Sequence, residues 1–336
     1  MRGGAGSAIK EWRLPSRIWR GERYGSSNLN WAESLLAFGG LQAAREEARV
    51  VVIPVAYDLT TTYAAGARDG PRALIDASTH MELFDEELGF APIDVGVHTL
   101  PIVEQVAAGP EAMSLVVQGI VREALEDGKL PVLLGGDHSL SIGAFRALHE
   151  LGLSATILQL DAHADLREEY QGTAHSHACV MARARELFPC AQVGIRSLSE
   201  PEHERARRER LAILPARRLR EDREAAVAEI LPLLGRQIYL TLDLDVLDPS
   251  IMPGTGTPEP GGLLWDEIQW VVRALTRDRS VIGFDMMELS PIPGLRAPEF
   301  LAAKLLNKIL GIVWPPGGAG SIPPSAGETP TQGSRP

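Results

Sequence analysis

The sequence predicts an α/β fold: a doubly wound parallel sheet covered by helices on both faces. Apolar, β-branched runs alternate with amphipathic stretches along most of the chain, and acidic or histidine-bearing strings follow directly on three of the apolar runs. Alternation of strand and helix signals implies parallel pairing, because parallel strands need a long crossover and are then buried on both faces.

Strands are expected at 50–55, 130–134, 155–160, 192–195, 237–242 and 280–284. Each is a short continuous apolar run, the pattern of a strand buried on both sides. Helices are expected at 109–125, 139–150, 178–187, 201–210, 220–233, 264–276 and 298–312, where apolar residues recur at helical spacing between caps or breakers. Gly66 and Gly70 read as backbone requirements of a loop. Residues 1–27, Arg-bearing and poor in acids, read as a mobile arm and 28–313 as one domain. The Pro/Gly-rich stretch 314–336 reads as a disordered tail, with too few large apolar side chains to offset the entropy of ordering.

Composition narrows the function classes. No apolar run in the 336 residues approaches the roughly 18 needed to suggest a membrane span. The net charge of −11 argues against nucleic acid as a partner and suits a cationic one. Only Cys179 and Cys190 occur, outside any metal-type spacing, so a reducing, cytoplasmic setting is expected.

The chemistry is concentrated in three strings. Gly135-Gly136-Asp137-His138-Ser139 follows the second expected strand, Asp161-Ala162-His163-Ala164-Asp165 the third, and Asp243-Leu244-Asp245 the fifth. In a parallel α/β sheet the ligand crevice lies beyond the carboxyl ends of the strands, where all three strings fall. If the segments are extended, residues two apart share a face, so Asp161, His163 and Asp165 can converge, as can Asp243 and Asp245. Asp137, Ser139 or Asp161 could individually serve only as caps. Gathered together, though, so many carboxylates would repel one another strongly at low dielectric unless cations joined them. Hard oxygen ligands outnumber imidazoles and thiolates are absent, which favours two manganese ions over one tetrahedral zinc and suits a metal-activated water as nucleophile.

These strings, with Gly66-Ala67-Arg68, Gly70-Pro71-Arg72, Asp248-Pro249, Gly254-Thr255-Gly256-Thr257-Pro258, Gly261-Gly262-Leu263 and Met287-Glu288-Leu289-Ser290-Pro291, resemble those of the ureohydrolases, the arginase and agmatinase group, over roughly residues 28–313. The resemblance implies a three-layer α/β/α fold with a mostly parallel eight-stranded sheet, and trimers or hexamers. It implies two Mn²⁺ per subunit: one held by His138, Asp161, Asp165 and Asp243, the other by Asp161, His163, Asp243 and Asp245. A metal-bridging hydroxide would attack a guanidinium gripped by Glu288, Asp165 would protonate the leaving amine, and His177 would exchange protons with solvent and contact substrate. Thr257 would touch substrate at the mouth. His175, two residues before His177, competes for the shuttle role.

The resemblance lies nearest the agmatinases, implying conversion of agmatine to putrescine and urea, a step of polyamine biosynthesis. Arg167-Glu168-Glu169-Tyr170-Gln171 stands where arginases carry an Asn- and Ser-bearing loop, and its two glutamates would repel an α-carboxylate and attract an amine tail. Aminopropylagmatine, guanidinobutyrate and arginine remain alternatives. A catalytically silent metal-binding homologue and a zinc amide hydrolase are readings of a different class.

Overall fold

The computed structural model describes residues 36–315. The expected arm at 1–27 and nearly all of the tail at 314–336 lie outside the described residues.

Nine strands form the sheet: β1 (Val50–Ala56), β2 (Val97–Thr99), β3 (Val103–Glu104), β4 (Leu130–Leu134), β5 (Thr156–Leu160), β6 (Cys190–Ile195), β7 (Ala212–Pro215), β8 (Gln237–Asp243) and β9 (Ser280–Met287). The order is β2-β1-β4-β9-β8-β5-β6-β7 and every paired neighbour is parallel. The implied count of eight is corrected to nine. The extra member, β3, pairs with Val55 and Ala56 of β1, just beyond the register taken by β2.

Period two along each strand divides the core into two layers. Val50, Val52, Val132, Leu158, Leu240 and Phe284 face one cluster, and Val51, Ile53, Leu133, Ile157, Tyr239 and Ile282 the other. Helices α1 (Gly70–Ser78), α6 (Ala216–Ile230), α7 (Trp265–Thr276) and α8 (Ala297–Val313) cover the first face. Helices α2 (Pro110–Glu126), α3 (Ser141–Glu150) and α4 (Val180–Leu187) cover the second. The strongly polar α5 (Glu200–Glu209) is fixed by a capping box between Ser199 and Glu202. The architecture is the expected three-layer α/β/α.

The expected strands and helices are all present, with ends shifted by a few residues. Three strands and one helix go beyond them. β2 and β3 have three and two residues, and β7 is a short edge strand that runs straight into α6. Gly70 opens α1 instead of belonging to a loop. Its requirement is close approach, since a Cβ there would lie 2.2 Å from the Leu289 carbonyl oxygen. Trp314, at the expected start of the tail, is buried; it stacks on Phe284 at 5.5 Å and donates its indole N–H to Val281 O.

Candidate metal centre

β4, β9, β8 and β5 are successive neighbours in the middle of the sheet, and each releases a predicted site residue at its carboxyl end. His138 follows β4, Glu288 follows β9, Asp243 ends β8 with Asp245 just beyond, and Asp161, His163 and Asp165 follow β5. Close passage of the ends of β9 and β1 explains the Gly-Gly pair: a Cβ on Gly135 would lie 1.8 Å from Met287 Sδ, and one on Gly136 1.6 Å from the Tyr57 carbonyl oxygen.

Two clusters form, each with donor atoms mutually within 4.8 Å: His138, Asp161 and Asp243, and Asp161, His163 and Asp245. Asp161 belongs to both. Asp165 adds an oxygen 3.5 Å from His138 Nδ1. A pocket above them is lined by His138, His163, Asp165, His177, Asp243, Asp245, Thr257 and Glu288, together with Thr61, Thr62 and Gly256. Every predicted site residue except Asp161 lines this pocket, and Asp161 is buried directly beneath.

The grouping was expected, but its local cause differs. The residues from 161 to 165 lie beyond the end of β5, so strand alternation does not align them. Instead Asp161 Oδ1 accepts the His163 N–H (2.6 Å) and Asp243 Oδ1 accepts the Asp245 N–H (2.8 Å), short side-chain turns that curl each string around its first aspartate. Asp165 and Glu288 have φ of 50° and 66°. Such φ is uncommon for residues with a side chain, and strain of this kind persists where surrounding bonds enforce it. Here the Asp165 carbonyl accepts the Met181 and Ala182 amides, while the Glu288 N–H donates to Gly136 O.

The donor set fits cations. Burial, reinforced by Asp161, pushes the Asp165 and Asp245 carboxyls up, and burial with Asp245 and Asp161 does the same to Asp243. Without a counter-charge their ionised forms are disfavoured. His138 shows how the counter-charge is admitted. Its Nε2 lies 2.8 Å from Thr241 Oγ1, whose single proton goes to Asp285 Oδ1 at 2.6 Å, so the hydroxyl accepts from His138 Nε2–H. Nδ1 is therefore the nitrogen that faces the carboxylates; against the opposing effect of burial, Asp161 and Asp243 hold the imidazole's pKa well above its ordinary value, so without a metal Nδ1 keeps a proton. This nitrogen is buried without a hydrogen bond, 3.2 Å from oxygens of both Asp161 and Asp243. A metal ion bound between them would take the place of that proton and receive the Nδ1 lone pair.

Several supporting residues carry no motif in the sequence. Gln159 donates to Asp161 Oδ2 (2.6 Å) and Asp165 Oδ2 (3.4 Å), and Gln192 donates to Gln159 Oε1 (2.5 Å). Thr60 Oγ1 accepts the His177 N–H and faces His177 Nδ1 at 3.2 Å, and among the described residues Nε2 has no hydrogen-bond partner. Arg196 donates to the carbonyls of Asp245 (2.6 Å) and Glu259 (2.7 Å), tying the loop after β8 to the mouth.

Other expectations are resolved by contacts. Asp137 is a cap, accepting the Ser139 and Thr60 amides. His175 bonds Arg146 at 2.8 Å and does not line the pocket, whereas His177 does. Burial, then the imidazoles His138 and His163, push His177 down to about 4. Burial pushes the Cys179 thiol up to about 11, in keeping with a packed apolar role. The acidic loop is corrected: neither Glu168 nor Glu169 lines the pocket, and Glu168 is bound by Arg183 (2.6 Å) and Arg205.

Residues 48–311 match the arginase family model. The chain belongs to the arginase family. A relative in Thermus thermophilus, named N(1)-aminopropylagmatine ureohydrolase, is 41% identical over 82% of this chain and 94% of its own. An agmatinase of Halalkalibacterium halodurans is 32% identical over 79% of this chain and 92% of its own. Among solved structures, the agmatine ureohydrolase of Thermoplasma volcanium superposes with a TM-score of 0.76 at 30% identity, covering 83% of this chain and 94% of that one. As an arginase-family ureohydrolase, the chain is a hydrolase of guanidino C–N bonds. Among the described residues no helix is long and apolar enough to cross a membrane.

Proposed function

We propose that the chain hydrolyses a guanidine with a cationic alkyl tail to urea and an amine, with N(1)-aminopropylagmatine as the foremost candidate and agmatine beside it. The single observation that carries the reaction type is the shared Asp161, joining two donor clusters beneath a pocket that also holds Glu288 and His177. The order of substrates follows the names of the relatives at 41% and 32% identity, and places the longer compound ahead of the agmatine expected from sequence.

His138, Asp161, Asp165 and Asp243 would hold one Mn²⁺, and Asp161, His163, Asp243 and Asp245 the other. When bound, such a pair supplies Lewis acidity and a hydroxide nucleophile near neutral pH. The protein does the rest. Glu288 accepts the His138 N–H at Oε1 (2.7 Å), which turns Oε2 to the pocket to grip a guanidinium by a charge-assisted bond. Burial, Asp243 and Asp137 push its carboxyl up when the pocket is empty, so a cation is also what lets it ionise. Asp165 Oδ2, steadied by Gln159, carries the proton to the leaving nitrogen, which cannot depart as an amide anion. His177, held down to about 4 and without a partner at Nε2 among the described residues, exchanges that proton with solvent. Thr257 closes the mouth against the substrate.

The test is urea release by Mn-loaded protein across N(1)-aminopropylagmatine, agmatine, arginine and 4-guanidinobutyrate. Preference for the first two supports the proposal, and equal or better turnover of arginine overturns the substrate assignment. The same proposal includes a cytoplasmic trimer or hexamer, as the family resemblance implies.

A further inference from the structure

Glu259 lies between two segments already placed at the site, yet no role above absorbs it. It follows Gly256 and Thr257, which line the pocket, and its Oε1 stands 3.8 Å from Nε2 of His163. His163 is the most open of the candidate ligands, its side chain 25% exposed against 7% or less for His138, Asp161, Asp165, Asp243 and Asp245. Glu259 does not itself line the pocket but stands just outside it, beside the most open candidate ligand, and is 37% exposed. Among the described residues no Lys or Arg forms an ion pair with it. Neighbouring acids are spent otherwise: Glu168 on Arg183 and Arg205, and Asp248 on the amides of Ser250, Gly261 and Gly262.

Its backbone is held, while its carboxylate has only the loose 3.8 Å contact with His163 as an ion pair among the described residues. Arg196 donates Nη2–H to Glu259 O (2.7 Å) and Nε–H to Pro260 O (3.1 Å). The same guanidinium donates to Asp245 O, so the carboxylate is presented at a fixed offset from the second donor cluster. A preorganised acceptor loses little entropy on binding a flexible alkylamine. Beyond His177, on the opposite side of the pocket, the nearest charge placed by the ring contacts is a cation. There His177 packs edge-on against Tyr170 at 6.0 Å, and the Arg167 guanidinium lies over the Tyr170 ring at 4.7 Å. An ammonium leaving the pocket is disfavoured toward Arg167 and favoured toward the Glu259 carboxylate.

We propose that Glu259 receives the cationic nitrogen of the substrate's alkyl tail and so selects cationic-tailed guanidines over neutral and anionic ones. Agmatine and N(1)-aminopropylagmatine carry that nitrogen at the same point, one butyl spacer from the guanidine, so one carboxylate serves both. Glu259 takes the part that the sequence suggested for Glu168 and Glu169. The inference rests on the guanidino-hydrolase function proposed above.

The test compares wild type with Glu259→Gln on agmatine, N(1)-aminopropylagmatine, butylguanidine and 4-guanidinobutyrate, with manganese content measured for each protein. Compounds not turned over are read as competitive inhibitors. Because Arg196 grips the Glu259 carbonyl, the substitution leaves the loop's anchorage intact. In Glu259→Gln, KM for both amines rises about tenfold or more with kcat little changed, the loss of one charge-assisted contact. Butylguanidine is unaffected, and 4-guanidinobutyrate improves. Equal losses on butylguanidine and agmatine, or lost manganese, overturn the inference, because Glu259 would then be orienting His163. Unchanged KM for every compound overturns it as well. Wild type that releases no urea from any guanidine overturns the parent function and this inference together, a result distinct from an unaltered ranking.

Discussion

Replacing Thr241 with valine tests whether His138 is held as a lone-pair donor by a partner it cannot replace. Valine matches threonine in shape, so the change removes one hydroxyl with little cavity. Thr241, His138 and Asp285 are at most 1% exposed, so water does not compensate. His138 Nε2–H loses its acceptor and Asp285 Oδ1 loses its donor. A buried polar group left unpaired costs about 1–3 kcal/mol; with Ser141 still beside Asp285, the pair should cost about 2–3 kcal/mol of folding stability. A freed imidazole also rotates, and loss of such an outer partner lowers metal affinity about 10–100-fold. Urea unfolding of the metal-free protein measures the first quantity, and chelator competition for Mn²⁺ the second. Thr241→Ser, which keeps the hydroxyl, should recover most of both. Manganese affinity equal to wild type in Thr241→Val would refute the tautomer argument for His138.

Three further outcomes follow from individual contacts. Glu288→Gln keeps an acceptor for the His138 N–H but loses the charge facing the guanidinium, so kcat/KM should fall about 10²–10³-fold with the fold intact by circular dichroism. His177→Ala should lower kcat about 10²-fold with partial rescue by added imidazole, while His175→Ala, whose ring is tied to Arg146, changes it little. Equal losses in the two variants would contradict the assignment of the shuttle. Asp248 is held down to about 2, first by its bonds to Ser250 and then by the Gly261 and Gly262 amides. A carboxyl depressed in the folded state stabilises above its unfolded pKa and loses that effect as pH falls through its folded pKa. Asp248→Asn should therefore be less stable than wild type at pH 6, with the difference fading between about pH 4 and pH 2 in unfolding titrations.

What the sequence reveals and what it hides follow from distance along the chain. The strings at 161–165 and 243–245 are legible because the donors that meet are neighbours, and their short turns need no distant partner. The residues that steady them are solitary in sequence. Thr241 reaches His138 across 103 positions and Gln192 reaches Gln159 across 33; each looks like an ordinary member of an apolar strand. Arg196 is equally isolated, and its partners are backbone carbonyls that no side-chain pattern marks. The edge strands β2, β3 and β7 are too short for a periodic signal, and α1 was hidden by Gly70 and Pro71, which resemble turn punctuation but here open a helix. Glu168 reads as unpaired because its charge is visible in sequence while the arginines that neutralise it, Arg183 and Arg205, lie 15 and 37 residues away.

The centre itself can be examined without turnover. Crystals grown in Mn²⁺ and measured for anomalous scattering should show two ions per chain, both touching Asp161, with His138 Nδ1 on one and His163 Nδ1 on the other. A single zinc, or ions that leave Asp161 and His138 uncoordinated, would contradict the account.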